Sequence, residues 1–244
     1  MTKLHRKELK QDEVREKIVG AIKGITFHGR EVLYLTTIVI AIGFIAFAWS
    51  YYEKRQQQES QNLLGVALAK FKTQVGAQVD PNDPTRKPEY QYKSDAEKYS
   101  DALKDFEVII QKYSNTPAAD VARYNAGVCA YYLKDYNRAE DLLKQSTRVS
   151  DRNVLYYVTR VTLANVYAAS GKIDQAVQTL NEAISSNKGY VPDEELLLQL
   201  AGIYKDAGKT KEAQDTYQKI VDQFKDSSAG FEAQNQLKQL KGEK

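Results

Sequence analysis

Residues 32–52 form one stretch of 21 consecutive residues without a charged side chain. An α-helix of this length is about 30 Å long, which matches the thickness of the hydrocarbon core of a bilayer. Tyr34 lies near one end of the stretch, and Trp49, Tyr51 and Tyr52 lie at the other. Aromatic rings are enriched at both membrane interfaces. The stretch therefore predicts a transmembrane helix.

Two other interpretations of this stretch fit less well. A buried core helix seldom has more than about 14 unbroken apolar residues. A cleaved signal peptide would agree with the small residues Ala46 and Ala48, which flank Phe47 as they would at a cleavage site. The apolar core is longer than that of a signal peptide, however, and a long charged region precedes it. A retained anchor is the favoured interpretation.

The net charge of +3 comes from 35 Lys/Arg and 32 Asp/Glu residues. All of this excess lies in residues 1–31, which carry eight basic and five acidic residues and leave the remainder neutral. A neutral soluble region argues against nucleic acid as a partner, because nucleic-acid binding needs a basic surface. The basic tail predicts a cytoplasmic N-terminus by the positive-inside rule. The long region after the span would then lie outside the cytoplasm.

The segments that flank the span have patterns of their own. In the charged N-terminal tail, residues 11–27 carry an apolar stripe at helical spacing. This stripe predicts a short amphipathic helix that lies on lipid or docks on a protein. Residues 53–94 predict a helical stalk followed by a proline-rich loop. The loop, residues 76–94, contains three of the five prolines in the chain, and proline interrupts helices.

From residue 95 to residue 244 the sequence repeats. Four segments align on an alanine at a constant spacing of 37 residues. These alanines are Ala102, Ala139, Ala176 and Ala213. Four positions after each alanine stands a bulky residue, and twelve positions before the last three stands a small one. Small residues let two helices approach closely, and bulky residues fill the gaps between layers, so this period predicts stacked helical hairpins.

This register resembles the tetratricopeptide repeat, with small residues in helix A and an alanine that opens helix B. The usual repeat has about 34 residues, so each unit here is slightly longer. The resemblance implies an all-α fold, in which an N-terminal transmembrane helix is followed by an α-solenoid of helical hairpins. Residues 56–76 would supply helix A of the first unit. A helix over residues 228–241, containing Phe231 and Leu237, would cap the open end.

The whole arrangement resembles the YfgM-like family of ancillary subunits of the bacterial Sec translocon. That resemblance implies a single-pass protein of the bacterial inner (cytoplasmic) membrane with a periplasmic repeat domain. It also implies protein partners, namely translocon subunits, periplasmic chaperones or exported client chains. Residues 113–145 equally resemble the periplasmic repeats of envelope-assembly factors. The second resemblance implies a scaffold for an envelope-assembly or cell-division complex with no role at the translocon.

The region after the span lacks the residue types of most catalytic sites. His5 and His28 are the only histidines, and both precede the span. The single cysteine, Cys129, falls in a repeat helix and is interpreted as a small core residue. The sequence therefore predicts no catalytic site, no metal and no cofactor. Acidic residues with strongly shifted pKa values in a deep pocket would indicate an enzyme instead.

The inner helix of each hairpin predicts a partner-binding groove, because its residues that do not pack between layers face the concave side. In the second and third units these residues are Tyr124, Asn125, Val128, Tyr131, Tyr132, Val158, Val161, Thr162, Asn165 and Ala168. In the fourth unit they include Leu198, Gln199 and Lys205. Tyrosine, aliphatic and amide side chains together suit an extended peptide or a partner helix. An ordinary solvated inner face is the alternative interpretation.

Overall fold

A computed structural model describes residues 29–76, 90–146 and 153–242. Within these ranges the regular structure is entirely helical, which confirms the predicted all-α fold. The helices are α1 (Gly29–Lys72), α2 (Asp95–Lys112), α3 (Pro117–Tyr132), α4 (Tyr136–Ser146), α5 (Val154–Ala169), α6 (Ile173–Ser186), α7 (Asp193–Asp206), α8 (Thr210–Phe224) and α9 (Ser228–Lys241). The amphipathic helix predicted over 11–27 and most of the proline-rich loop lie outside the described residues.

The chain divides into two units, Met1–Lys54 and Arg55–Lys244. In the first unit, α1 is long and apolar enough to cross a membrane, and its apolar side chains are exposed. Thr36 and Thr37 donate their hydroxyl groups to carbonyl oxygens of the preceding turn. These bonds satisfy both hydroxyls inside the helix, which is what a segment surrounded by lipid requires.

The second unit is a row of helical hairpins. The C-terminal part of α1 packs on α2, with Ala67 and Phe106 in one buried cluster. The next pairs are α3 with α4, α5 with α6, and α7 with α8, and α9 packs on the last pair. Along this row neighbouring members of the series α3, α5, α7 and α9 also contact one another, whereas the backbones of α4, α6 and α8 lie farther apart in the described part of the chain. The first group therefore lines the concave side of the solenoid.

Burial confirms the predicted repeat register. Ala102, Ala139, Ala176 and Ala213 are all fully buried, as are the small residues Ala164 and Ala201 of the inner helices. At Gly127, an added Cβ atom would lie 2.6 Å from Cγ of Leu143. Small residues thus occupy the places where paired helices come closest. In the capping helix α9, Leu237 is buried, whereas Phe231 is exposed.

The turns between paired helices repeat with the same spacing. Gly171 and Gly208 have φ values of +79° and +72°, in the left-handed region that favours glycine. Thirty-seven residues before Gly171, the same position is held by Lys134, with φ +62°. A side chain in this conformation costs about 1–2 kcal/mol. The second repeat therefore carries backbone strain at Lys134, which the third and fourth repeats avoid because glycine holds the equivalent position.

Ion pairs join each outer helix to the next. Arg138 of α4 binds Glu107 of α2. Lys172, at the start of α6, lies 2.7 Å from Glu140 of α4. Lys209, at the start of α8, lies 3.2 Å from Asp174 of α6. We call these three contacts the outer ion-pair ladder.

The register predicts the effect of a larger side chain at a repeat alanine. Ala176→Leu should lower the free energy of unfolding by about 1–3 kcal/mol, because the paired helices cannot separate without losing contacts. Thermal unfolding of the full chain in detergent measures the change. The matched control is Gln175→Leu, since Gln175 is the exposed neighbour of Ala176. Equal midpoints for the two variants would contradict the register.

The turn geometry predicts opposite effects at two equivalent positions. Lys134→Gly should raise the free energy of unfolding by up to about 1 kcal/mol, because glycine adopts the left-handed conformation without strain. Gly171→Ala should lower it by about 1–2 kcal/mol. An added Cβ at Gly171 meets nothing within 4 Å, so the backbone alone carries that cost. Chemical denaturation of the full chain tests both variants, and a destabilised Lys134→Gly variant would contradict the strain.

Candidate functional site

Two neighbouring cavities open on the concave side. The first has a volume of about 260 Å³ and lies between the ends of α3, α5 and α7. Its lining residues are Tyr131, Asn165, Ala168, Ala169, Ile173, Ile203, Asp206 and Ala207. The second has a volume of about 270 Å³ and extends from α7 to α9. Its lining residues are Asn165, Leu198, Gln199, Gly202, Ile203, Lys205, Asp206, Tyr217, Glu232 and Gln236.

Asn165, Ile203 and Asp206 line both cavities, so the two form one continuous depression along the inner helices. We call this depression the inner groove. Its walls combine aliphatic carbon atoms with amide, carboxylate, ammonium and hydroxyl groups. Such a mixture can hold an extended polypeptide, because the amides match a backbone and the aliphatic parts match side chains.

Several predicted groove residues line these cavities. Tyr131 and Ala168 lie in the first, Leu198, Gln199 and Lys205 lie in the second, and Asn165 reaches both. The Lys205 ammonium donates a hydrogen bond of 3.1 Å to Gln236 of the capping helix. Gln236 in turn donates to a Glu232 carboxylate oxygen at 3.3 Å. These two hydrogen bonds connect α7 to α9 through side chains that line the second cavity.

Other predicted residues are half-buried and line neither cavity. Tyr124 and Val161 pack against the buried cluster around Leu163 and Tyr167. The hydroxyl of Thr162 donates to the carbonyl oxygen of Val158, one turn earlier in its own helix. Val128 and Val158 are also only half-buried. These five side chains contribute to the inner helices, but the cavities lie beside them, nearer the helix ends.

Asn125 does not present its amide to the groove. Its side chain is buried, and its amide nitrogen donates a 2.8 Å hydrogen bond to the carbonyl oxygen of Val121. In this structure the amide nitrogen that was expected to bind a partner backbone is instead bound to its own helix. The sequence placed Asn125 on the inner helix but could not show which way its face is turned.

Tyr132 lies beside Tyr131, with the two ring centroids 5.6 Å apart, but it makes a second aromatic contact away from the cavities. Its ring stacks on Tyr99 of α2, with centroids 4.6 Å apart and an angle of 5° between the planes. Because successive helical residues point about 100° apart, Tyr131 faces the first cavity while Tyr132 faces α2 of the first repeat. Tyr132 nevertheless stays 55% exposed. Tyr132 forms an aromatic contact between the first and second repeats, and it lines neither of the two cavities.

Tyr217, Glu232 and Gln236 are groove residues that the sequence prediction omitted. Tyr217 is the bulky residue of the fourth repeat and was assigned to the core, where it is indeed 2% exposed. Burial raises the pKa of its hydroxyl, and the nearby carboxylates of Asp206 and Glu232 raise it further. Glu232 and Gln236 stand four residues apart on α9, which is the spacing of one helix face. That spacing was the available indication of a polar inner face on the cap.

Titratable groups in the described residues suit binding better than chemistry. Cys129 is fully buried, and this burial raises the pKa of its thiol to about 12. The thiolate, which is the nucleophilic form, is therefore scarce at neutral pH. No group of three His, Cys, Asp or Glu side chains converges as metal ligands within the part of the chain that the structure describes. The groove offers hydrogen bonds, charge and apolar contact.

Comparison with known proteins agrees with this architecture. Residues 28–242 match the family of tetratricopeptide repeat-like domains. The ancillary SecYEG translocon subunit of Aggregatibacter actinomycetemcomitans is 28% identical over 147 residues. That match covers 60% of this chain and 61% of the relative, so it spans less than two thirds of the relative's length.

Solved structures with the same helical arrangement are more distant in sequence. Nearly identical TPR-like repeats from a kinesin light chain-like protein of Podosopora anserina superpose with a TM-score of 0.50 at 16% identity. The superposition covers 59% of this chain and 80% of that one. A single-substitution variant of the same repeats gives a TM-score of 0.51, with 59% and 79% coverage. At this identity the likeness shows the fold alone.

Proposed function

Because the chain belongs to the tetratricopeptide repeat-like domain family, we propose that it is a membrane-anchored protein–protein interaction module without catalytic activity. In this proposal the inner groove holds partner chains, and α1 keeps the groove close to the membrane. Anchoring raises the effective concentration of the groove near chains that emerge there. The observation that carries the proposal is the pair of adjoining cavities that share Asn165.

The partner class follows from the relative and from the anchor. The relative is an ancillary subunit of the SecYEG translocon. In this chain a helix that could span a membrane precedes the repeats. These two points support an ancillary or chaperone-like role at the protein-export machinery, with translocon subunits, periplasmic chaperones or exported client chains as partners. A scaffold for an envelope-assembly or cell-division complex would bind one fixed set of proteins instead.

Crosslinking from the groove tests this function. A photo-crosslinking residue at Ala168, which lines the first cavity, should trap translocon subunits and several different exported chains. The matched control is the same residue at Gln178, on the outer helix α6, where it is exposed to solvent. The Gln178 position should trap few partners, because it lies away from the cavities. Equal capture from both positions would contradict binding in the groove.

A second variant separates the groove from the fold. Asn165→Leu keeps the size of the side chain and removes the amide that lines both cavities. Since the side chain of Asn165 is only half-buried, we expect capture at Ala168 to fall severalfold with little change in the thermal midpoint. Unchanged capture would show that the amide is not used. Capture of one constant set of envelope proteins, without translocon subunits, would favour the scaffold.

The proposed topology is separately testable. The basic tail favours a cytoplasmic N-terminus and a periplasmic repeat domain in an inner-membrane protein. Protease added to intact spheroplasts should then degrade residues 53–244 and leave a small membrane-protected fragment. Degradation of that domain only after lysis would place it in the cytoplasm. Such a result would exclude direct contact with exported chains on the periplasmic side.

A further inference from the structure

The fourth repeat carries a hydroxyl where the other repeats carry only carbon. The bulky residue that follows each repeat alanine is Phe106, Leu143, Leu180 or Tyr217. Each of these side chains is at least 98% buried. The Tyr217 hydroxyl makes no hydrogen bond among the described residues, and Tyr217 lines the second cavity. Although the ring is buried, the hydroxyl oxygen is not fully enclosed by protein, so it opens onto the cavity and can bind a ligand there.

Two carboxylates face the same space. Asp206 of α7 and Glu232 of α9 both line the cavity. Their negative charges raise the pKa of the Tyr217 hydroxyl, which lines the same cavity. Neither carboxylate forms an ion pair in the described part of the chain. Lys205 is the cation that lines this cavity, and its ammonium is bound to Gln236. The lining of this cavity therefore carries one positively charged side chain and two negatively charged ones.

A glycine leaves room in the wall of this cavity. Gly202 lies inside α7, where glycine lowers helix stability. An added Cβ there would meet nothing within 4 Å, so packing does not require glycine. The equivalent positions of the two preceding repeats are Val128 and Asn165. A small residue beside a polar cavity is suited to the close approach of a ligand to the helix backbone.

We propose that the second cavity is a subsite for a positively charged side chain, a lysine or arginine of the partner chain that occupies the inner groove. This inference rests on the proposed function and specifies its ligand. The cationic group lies between Asp206 and Glu232, and it donates a hydrogen bond to the Tyr217 oxygen. Hydrogen bonds between ionised groups are roughly twice as strong as neutral ones, so these contacts discriminate charge. Gly202 leaves the space through which the aliphatic part of the side chain enters.

The test compares two peptides that differ only in charge. The full chain in detergent micelles is titrated into fluorescein-labelled nonapeptides of Leu, Ser and Gly with arginine or citrulline at the centre. Citrulline has nearly the shape of arginine but is neutral. Fluorescence anisotropy should show about tenfold tighter binding of the arginine peptide. Asp206→Asn combined with Glu232→Gln should abolish that preference.

Two further variants separate a local contact from long-range attraction and from folding. Glu212→Gln combined with Asp215→Asn removes the same charge from exposed positions of α8, and it should leave the preference intact. Tyr217→Phe should reduce the preference about threefold and keep the thermal midpoint, because phenylalanine fills the equivalent position at Phe106. Loss of the preference in both double variants would overturn the subsite, as would its persistence in the Asp206/Glu232 variant.

The crosslinker at Ala168 separates failure of the subsite from failure of the groove. If both peptides bind equally, or neither binds, while Ala168 still traps partners, the cationic subsite is wrong and the groove function stands. If Ala168 traps no partners and neither peptide binds, the groove function fails and the subsite fails with it. A preference for citrulline would show that Lys205 dominates the cavity and would also overturn the subsite.

Discussion

Close approach of paired helices at small residues is the constraint on which this structure depends. Ala102, Ala139, Ala176 and Ala213 are fully buried, and at Gly127 even one added carbon would clash with Leu143. Interlocking side chains fix how far each helix is rotated about its axis. That rotation decides which residues of α3, α5 and α7 face the concave side. The repeat alanines belong to α2, α4, α6 and α8. The position of the inner groove thus follows from how these helices pack against the opposite surface of α3, α5 and α7.

The sequence was sufficient for the fold because its constraints recur. A 37-residue period places small and bulky residues in the same register four times, and each repeat supports the assignment of the others. The apolar stretch at 32–52 is similarly clear, since its length matches a bilayer. Cys129 could be assigned to the core in the same way, because its equivalents in the register are apolar. It is fully buried in the structure.

The groove was only partly predictable, because its details depend on contacts that do not repeat. Tyr132 stacks on Tyr99 of α2, in the preceding repeat. Asn125 turns its amide back to its own helix, a choice of side-chain rotamer that periodicity cannot specify. Glu232 and Gln236 come from the capping helix, which follows no repeat rule. The hydroxyl of Tyr217 was visible in the sequence but was hidden by its assignment to a packing position.

Because of the outer ion-pair ladder, the two sides of the solenoid are held by different kinds of contact. Inner helices touch one another through direct packing, whereas outer helices are linked through charged side chains such as Lys172 and Glu140, or Lys209 and Asp174. Dissolved salt weakens exposed charge pairs far more than it weakens apolar contact. The outer edge of the row of hairpins therefore depends more on charged contacts than the inner edge does. Ionic strength therefore acts mainly on the contacts of the outer edge.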